Sequence, residues 1–169
     1  MHNTDLKFLK IKKEKHPTRN VILEYLDKPD AIGALILDSE EKYVYLVKQY
    51  RPGTQDLLLE IPAGIIEKGE SPRETLYREV REEVGLEAEA YNILFESEIP
   101  LILSPGYTTE SLYVYILKLK SEVEFKEKIL DEGEDLTIEK VLYSDIFKVT
   151  RDFKTNYAFL LFEELRRKK

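Results

Sequence analysis

Three glutamates, Glu79, Glu82 and Glu83, are the residues whose type and spacing point most directly to chemistry. They stand at i, i+3 and i+4, so a helix projects all three from one face. At roughly 100° per residue they span an arc of about 100°. Carboxylates gathered in this way suit a hard divalent cation, which takes oxygen ligands and shares its shell with water and phosphate oxygens. The competing reading is a solvated helix face, on which Arg78 and Arg81 offset the like-charge repulsion. Spacing alone does not separate the two.

The elements that must position these residues can be read from their flanks. Ser71-Pro72-Arg73-Glu74 is a helix start: Ser71 caps free N–H groups, Pro72 suits the first helical position and Glu74 completes a capping box. Gly85 is a natural stop. The predicted helix is 72–84, with Leu76, Tyr77, Val80 and Val84 on its apolar side. Before it, residues 20–27, 32–38, 42–49 and 57–61 are short runs rich in β-branched, aromatic and aliphatic residues, separated by turn signals. Residues 6–12 alternate weakly and are a further candidate strand. Pro62-Ala63-Gly64 reads as a loop leading towards the helix.

After the helix, strands are expected at 88–97, 112–119 and near 137–143, with a polar stretch at 121–135. Ser144-Asp145 opens a short helix. A C-terminal helix is expected over 155–167, burying Phe159, Leu160, Phe162 and Leu165. No internal repeat or low-complexity linker interrupts the pattern. Strands around a central helix, with more helix at the end, make a mixed α/β or α+β arrangement in a single domain, 1–169.

Composition narrows the function classes. The chain has 169 residues, 43% hydrophobic and 35% charged, which suits one globular domain with a real core. Its net charge of −7 is a poor footprint for nucleic acid or an anionic membrane, so neither is an expected partner. A small phosphorylated ligand remains compatible, because a bound divalent cation presents positive charge to it. The absence of cysteine removes disulfides, thiolate nucleophiles and cysteine-ligated zinc. The N-terminal residues lack the apolar run of a secretory signal and no stretch is long enough to span a bilayer, so a cytoplasmic protein is expected.

Residues 64–86, GIIEKGESPRETLYREVREEVGL, match in full the Nudix box: Gly64, Glu70, Arg78, Glu79, Val80, Glu82, Glu83, Gly85 and Leu86 occupy its specified positions. The chain therefore resembles the Nudix hydrolases. The resemblance implies a mixed β-sheet sandwiched between helices, and hydrolysis of a diphosphate linked to another group. It implies Mg2+, or Mn2+, held by Glu79, Glu82 and Glu83 with the carbonyl of Ala63. Arg78 would orient the glutamates, Glu70 would support the loop–helix geometry, and Gly64 and Gly85 would serve as backbone positions.

The flanks resemble the ADP-ribose pyrophosphatase subfamily. Ser104-Pro105-Gly106 is followed four residues later by Glu110, and with Tyr107 this stretch is expected to contact substrate; a plain turn between strands is the alternative. Arg51, at the end of Val47-Lys48-Gln49-Tyr50-Arg51-Pro52, would pair with a phosphate. In the loop Asp131–Asp135 the resemblance places the water-activating base at Glu132, with Glu134 as the alternative. The N-terminal extension, about residues 1–30, would add strands, build a homodimer and contribute Arg19 to the adenosine pocket. The expected substrate is a nucleoside-diphosphate sugar, most directly ADP-ribose. The alternatives are ADP-glucose, GDP-mannose, or a non-catalytic sensor that only binds ADP-ribose.

Overall fold

The computed structural model describes residues 6, 9–129 and 135–168. Its centre is a mixed sheet in the order β10-β4-β3-β9-β7. These strands are β3 (Ala31–Leu37), β4 (Tyr43–Arg51), β7 (Tyr91–Glu96), β9 (Ser111–Leu119) and β10 (Leu136–Leu142). β3 and β9 run parallel, in register from Ala31↔Leu112 to Leu37↔Lys118; the other neighbours are antiparallel. Three short strands pair at the margins: β5 (Asp56–Glu60) on β4, β6 (Ala63–Ile65) on β3, and β8 (Leu101–Ile102) on β9.

The central strands are apolar at nearly every position because both faces of the sheet are covered. All seven residues of β3 are buried. Leu35 and Leu37 pack on one face with Ile61, Ile116, Phe159 and Phe162, beneath the C-terminal helix α3 (Phe153–Arg167), which follows the short helix α2 (Ile146–Val149). Ala34 and Ile36, alternating with them, pack on the other face with Leu76, Val80 and Val84 of the acidic helix. A period-two strand thus serves two cores, and the result is the expected sheet between helices.

A two-stranded antiparallel hairpin, β1 (Ile11–Lys15) and β2 (Ile22–Leu26), stands apart from this sheet. It is the expected N-terminal extension, with its first strand later than the 6–12 pattern suggests. Its end is tied to the Ser104–Thr109 loop: the Leu26 N–H donates to the Tyr107 carbonyl at 2.8 Å, and the Thr109 N–H to the Leu26 carbonyl at 3.0 Å.

Four local expectations need correction. The acidic helix is α-helical only over α1 (Pro72–Glu79); Val80–Val84 form a π turn, closed by Gly85 in the left-handed region at φ 74°. Tyr77 is 38% exposed, and Thr75 takes its place in the interior. On α3, Leu160 is exposed; Ala158, Phe159 and Phe162 are buried, and Leu161 and Leu165 pack at the edge of that core. Both side chains sit at the margin of an apolar stripe, where a small rotation of the helix decides between core and solvent. Ala63–Ile65, expected as loop, is the strand β6, formed because β3 offers it a partner edge.

Candidate functional site

The capping box forms as expected. Ser71 Oγ accepts from the Glu74 N–H, and the Ser71 N–H donates to Glu74 Oε2 at 2.8 Å. This fixes where α1 starts, and hence the rotation of the residues that follow. Within α1 and the π turn, Leu76, Val80 and Val84 are fully buried. The wider π turn carries the last glutamates around the axis, and such turns are frequent at functional sites. Glu83 is 4% exposed and Glu79 9%, so two of the three carboxylates are deeper than a helix edge would hold them. Glu82 is the more open one.

Arg78 organises the cluster. Its Nε and Nη2 donate to Glu70 Oε1 and Oε2, each at 2.9 Å, and Nη2 also donates to the Ile65 carbonyl at 3.0 Å. Its Nη1 donates to Glu79 Oε1 at 2.7 Å and to Glu82 Oε2 at 3.2 Å. All five N–H donors of the guanidinium are thereby engaged. The surrounding carboxylates push the Arg78 pKa up, Glu70 contributing most. In return Arg78 brings Glu70 down to about 2, helped by hydrogen bonds from the Thr75 hydroxyl and the Glu67 N–H.

β6 lies under this cluster. The Ala63 N–H donates to Glu83 Oε2 at 3.1 Å. Gly64 has no side chain because Glu79 fills the space: a Cβ there would sit 1.7 Å from Glu79 Cδ. On the far side, the segment after β9 crosses the π turn. The Lys126 N–H donates to the Gly85 carbonyl and the Ile129 N–H to the Glu82 carbonyl, each at 3.0 Å. These bonds satisfy carbonyls left free at the helix end. Glu132 and Glu134 lie outside the described residues.

Glu79, Glu82 and Glu83 open onto one cleft of about 500 Å³, together with Ala63, Gly64 and Arg78. Arg51, Glu110, Lys28 and Lys154 also line it. Arg51 is held bidentately by Glu60, at 2.5 Å from Nε and 3.0 Å from Nη2. Glu60 is almost fully buried at the end of β5, and it draws a second cation, Lys154, at 3.0 Å. Glu110 pairs with Lys28 at 2.9 Å. Tyr107 is exposed on the loop that joins the hairpin, and Arg19 lies in the bend between β1 and β2; neither lines the cleft. Lys28, Glu60 and Lys154 are additions that the sequence reading did not contain. Glu60 left a signal, being the one charged residue in the run Leu57–Ile61. Lys154 left none.

The cleft fits a hard divalent cation in kind: carboxylate oxygens, a glycine floor that admits one of them, and an excess of anions over cations around the helix. The carboxylates are not closed into a coordination sphere as they stand, and no group of three ligating side chains among the described residues is arranged to hold a metal. Arg78 spans Glu79 and Glu82, while Glu83 accepts from Ala63. What the arrangement offers chemically is a carboxylate wall for cations opposite basic residues for phosphate oxygens.

Comparison with known proteins agrees with this geometry. Residues 27–160 match the family described as the NUDIX domain. Over 140 residues the chain is 36% identical to a methanol dehydrogenase activator from Bacillus methanolicus, covering 80% of this chain and 72% of that one. It is 34% identical over 140 residues to an ADP-ribose pyrophosphatase from Bacillus subtilis, with the same 80% and 72% coverage. In fold it is similar to a solved structure titled as an ADP compounds hydrolase, with a TM-score of 0.72, 19% identity, and coverage of 98% of this chain and 90% of that one. The box, the sandwich that carries it and these relatives together place the chain in the Nudix hydrolase family.

Proposed function

We infer that this protein hydrolyses the diphosphate bond of a nucleoside-diphosphate sugar, with ADP-ribose as the substrate and AMP and ribose 5-phosphate as products. The observation that carries the reading is the cleft itself, where Glu79, Glu82 and Glu83 share one space with Arg51 and Lys154. The 34% identity to a protein named ADP-ribose pyrophosphatase favours that substrate over ADP-glucose or GDP-mannose.

Mg2+, or Mn2+ in its place, would be held by Glu79, Glu82 and Glu83 with the Ala63 carbonyl. When bound it supplies charge neutralisation and acidifies water. The remaining work falls to the chain's own residues. Arg78 bridges Glu79 and Glu82 and holds them in position. Arg51 binds a phosphate oxygen and Glu110 contacts the sugar end; Tyr107 and Arg19, which stand outside the cleft of their own chain, would contact the adenosine end in the homodimer. Water forms the new P–O bond, the bridging P–O bond breaks with its electron pair leaving on the departing phosphate, and Glu132 takes the water proton. Positioning and electrostatics are the main demands of such a transfer.

We extend this reading to a homodimer built through the N-terminal hairpin, to residues 1–169 acting as one catalytic domain, and to a cytoplasmic setting without nucleic acid or membrane as partner. Among the described residues no helix is long and apolar enough to cross a membrane. A second reading, a nucleotide-sugar-binding regulator, is favoured by the relative named as a dehydrogenase activator. Incubation with Mg2+ and ADP-ribose, ADP-glucose or GDP-mannose, followed by chromatography, separates these. AMP and ribose 5-phosphate formed fastest from ADP-ribose support the reading. Faster cleavage of another sugar corrects the substrate, and binding without turnover of any favours the regulator.

A further inference from the structure

Lys154 belongs to the first turn of α3, about a hundred residues from Arg51 in sequence, yet it lines the same cleft. Its ammonium donates to Glu60 Oε2 and to Asp152 Oδ1, each at 3.0 Å. Arg51 grips the same Glu60 carboxylate through Nε and Nη2. Asp152 is itself fixed: it is the N-cap of α3, its Oδ2 accepting from the Thr155 N–H at 2.8 Å and the Thr155 hydroxyl at 2.7 Å. The Thr155 hydroxyl in turn accepts from the buried Ile61 N–H at 2.8 Å, one residue beyond Glu60. Helix start, strand end and two cations are therefore locked together at the cleft wall.

The donor count leaves capacity. An ammonium has three N–H donors and a guanidinium five. Glu60 and Asp152 take two from Lys154, and Glu60 takes two from Arg51. Among the described residues the other donors have no acceptor. Burial lowers the Lys154 pKa, but Asp152 and Glu60 outweigh it and hold it above its ordinary value, so the residue stays charged. Glu83 lies near enough to add to the field on Arg51, which sets this basic pair against the acidic cluster. A lysine held by two buried carboxylates loses little further freedom when it meets an anion, which removes one of the usual costs of binding.

We propose that Lys154 is a substrate-binding residue, which together with Arg51 takes the non-bridging oxygens of a diphosphate, with Glu60 and Asp152 as the groups that position it. This rests on the diphosphate reading of the cleft and extends it to a second cation. The probe is inorganic pyrophosphate, titrated calorimetrically in Mg2+ buffer against wild type, Lys154→Met, Lys154→Arg and the double variant Lys154→Met with Glu60→Gln. Lys154→Met is expected to weaken binding about tenfold, the loss of one charge-assisted contact, and Lys154→Arg to stay within about threefold. The double variant is expected to remain about tenfold weak, because removing the unpaired anion does not restore the lost donor.

Wild-type affinity in Lys154→Met, or its recovery in the double variant, overturns the proposal; recovery would mean that Lys154 only balances Glu60. If Lys154→Met fails to fold, the double variant and Lys154→Arg decide by the same criteria. Pyrophosphate also separates this claim from the sugar. Loss of pyrophosphate binding in Lys154→Met, in a protein that cleaves no nucleotide sugar, refutes the substrate reading and leaves this inference standing.

Discussion

Arg78 distributes its five donors over Glu70, Glu79, Glu82 and the Ile65 carbonyl, so a single side chain ties the loop before the helix to the acidic face. The consequence for Glu70 is measurable. Its carboxyl is held at about 2 instead of 4.5, mainly by Arg78. A depressed folded-state pKa means that the unfolded chain takes up the proton first. The stabilisation is therefore complete above pH 4.5 and is lost as pH falls towards about 2. The melting temperature of wild type should drop through this window more steeply than that of Glu70→Gln; parallel curves would show that the pair contributes nothing. Gly64 makes a different point. In Gly64→Ala the new Cβ meets the Glu79 carboxylate, the end of a flexible side chain, so the glutamate gives way and the backbone holds. We expect kcat to fall about 100-fold while stability changes by less than about 2 kcal/mol. A large stability loss with kcat preserved would place the role of Gly64 in folding alone.

The acidic helix shows what its residues could and could not announce. Ser71, Pro72, Glu74 and Gly85 mark both ends by local chemistry, and both ends are where they indicate. The π turn leaves no mark, because the same residues at spacings of three and four accommodate either winding. It shows only in the folded backbone, where Lys126 and Ile129 of the crossing segment donate to the Gly85 and Glu82 carbonyls. β6 was missed for a related reason: three residues with a central glycine have no strand pattern, and only the neighbouring edge of β3 makes them one. Gly85 carries a testable load here. Its φ of 74° suits glycine, and a Cβ would come within 2.3 Å of the Lys126 carbonyl oxygen, which is backbone and cannot swing aside. Gly85→Ala should cost about 2–3 kcal/mol in a urea titration, combining left-handed strain with displacement of the crossing segment. A loss below about 0.5 kcal/mol would mean that the crossing segment yields freely.

For the molecule as a whole, function depends on a sheet buried on both faces. Both the acidic helix and α3 are anchored to β3, yet Lys154 of α3 reaches the same cleft as Glu79, Glu82 and Glu83. The carboxylate half of the site was legible because it lies within one 23-residue stretch, 64–86. The basic half was legible only at Arg51, since Lys28 and Lys154 come from distant segments and reach the cleft through tertiary structure alone; Glu60, which holds both Arg51 and Lys154, stands out in sequence as the one charged residue among Leu57, Leu58, Leu59 and Ile61. The claim that joins the halves is metal-assisted cleavage of a diphosphate, and the acidic helix is where it is most exposed to test. The most direct measurement is the rate of AMP release from ADP-ribose in saturating Mg2+, compared between wild type, wild type in EDTA, and Glu82→Gln. Wild type is expected to turn over, with no turnover in EDTA and at least a 100-fold lower kcat in Glu82→Gln, about 2.7 kcal/mol or more of lost transition-state stabilisation. Equal rates in wild type and Glu82→Gln, or undiminished turnover in EDTA, would contradict metal-assisted cleavage.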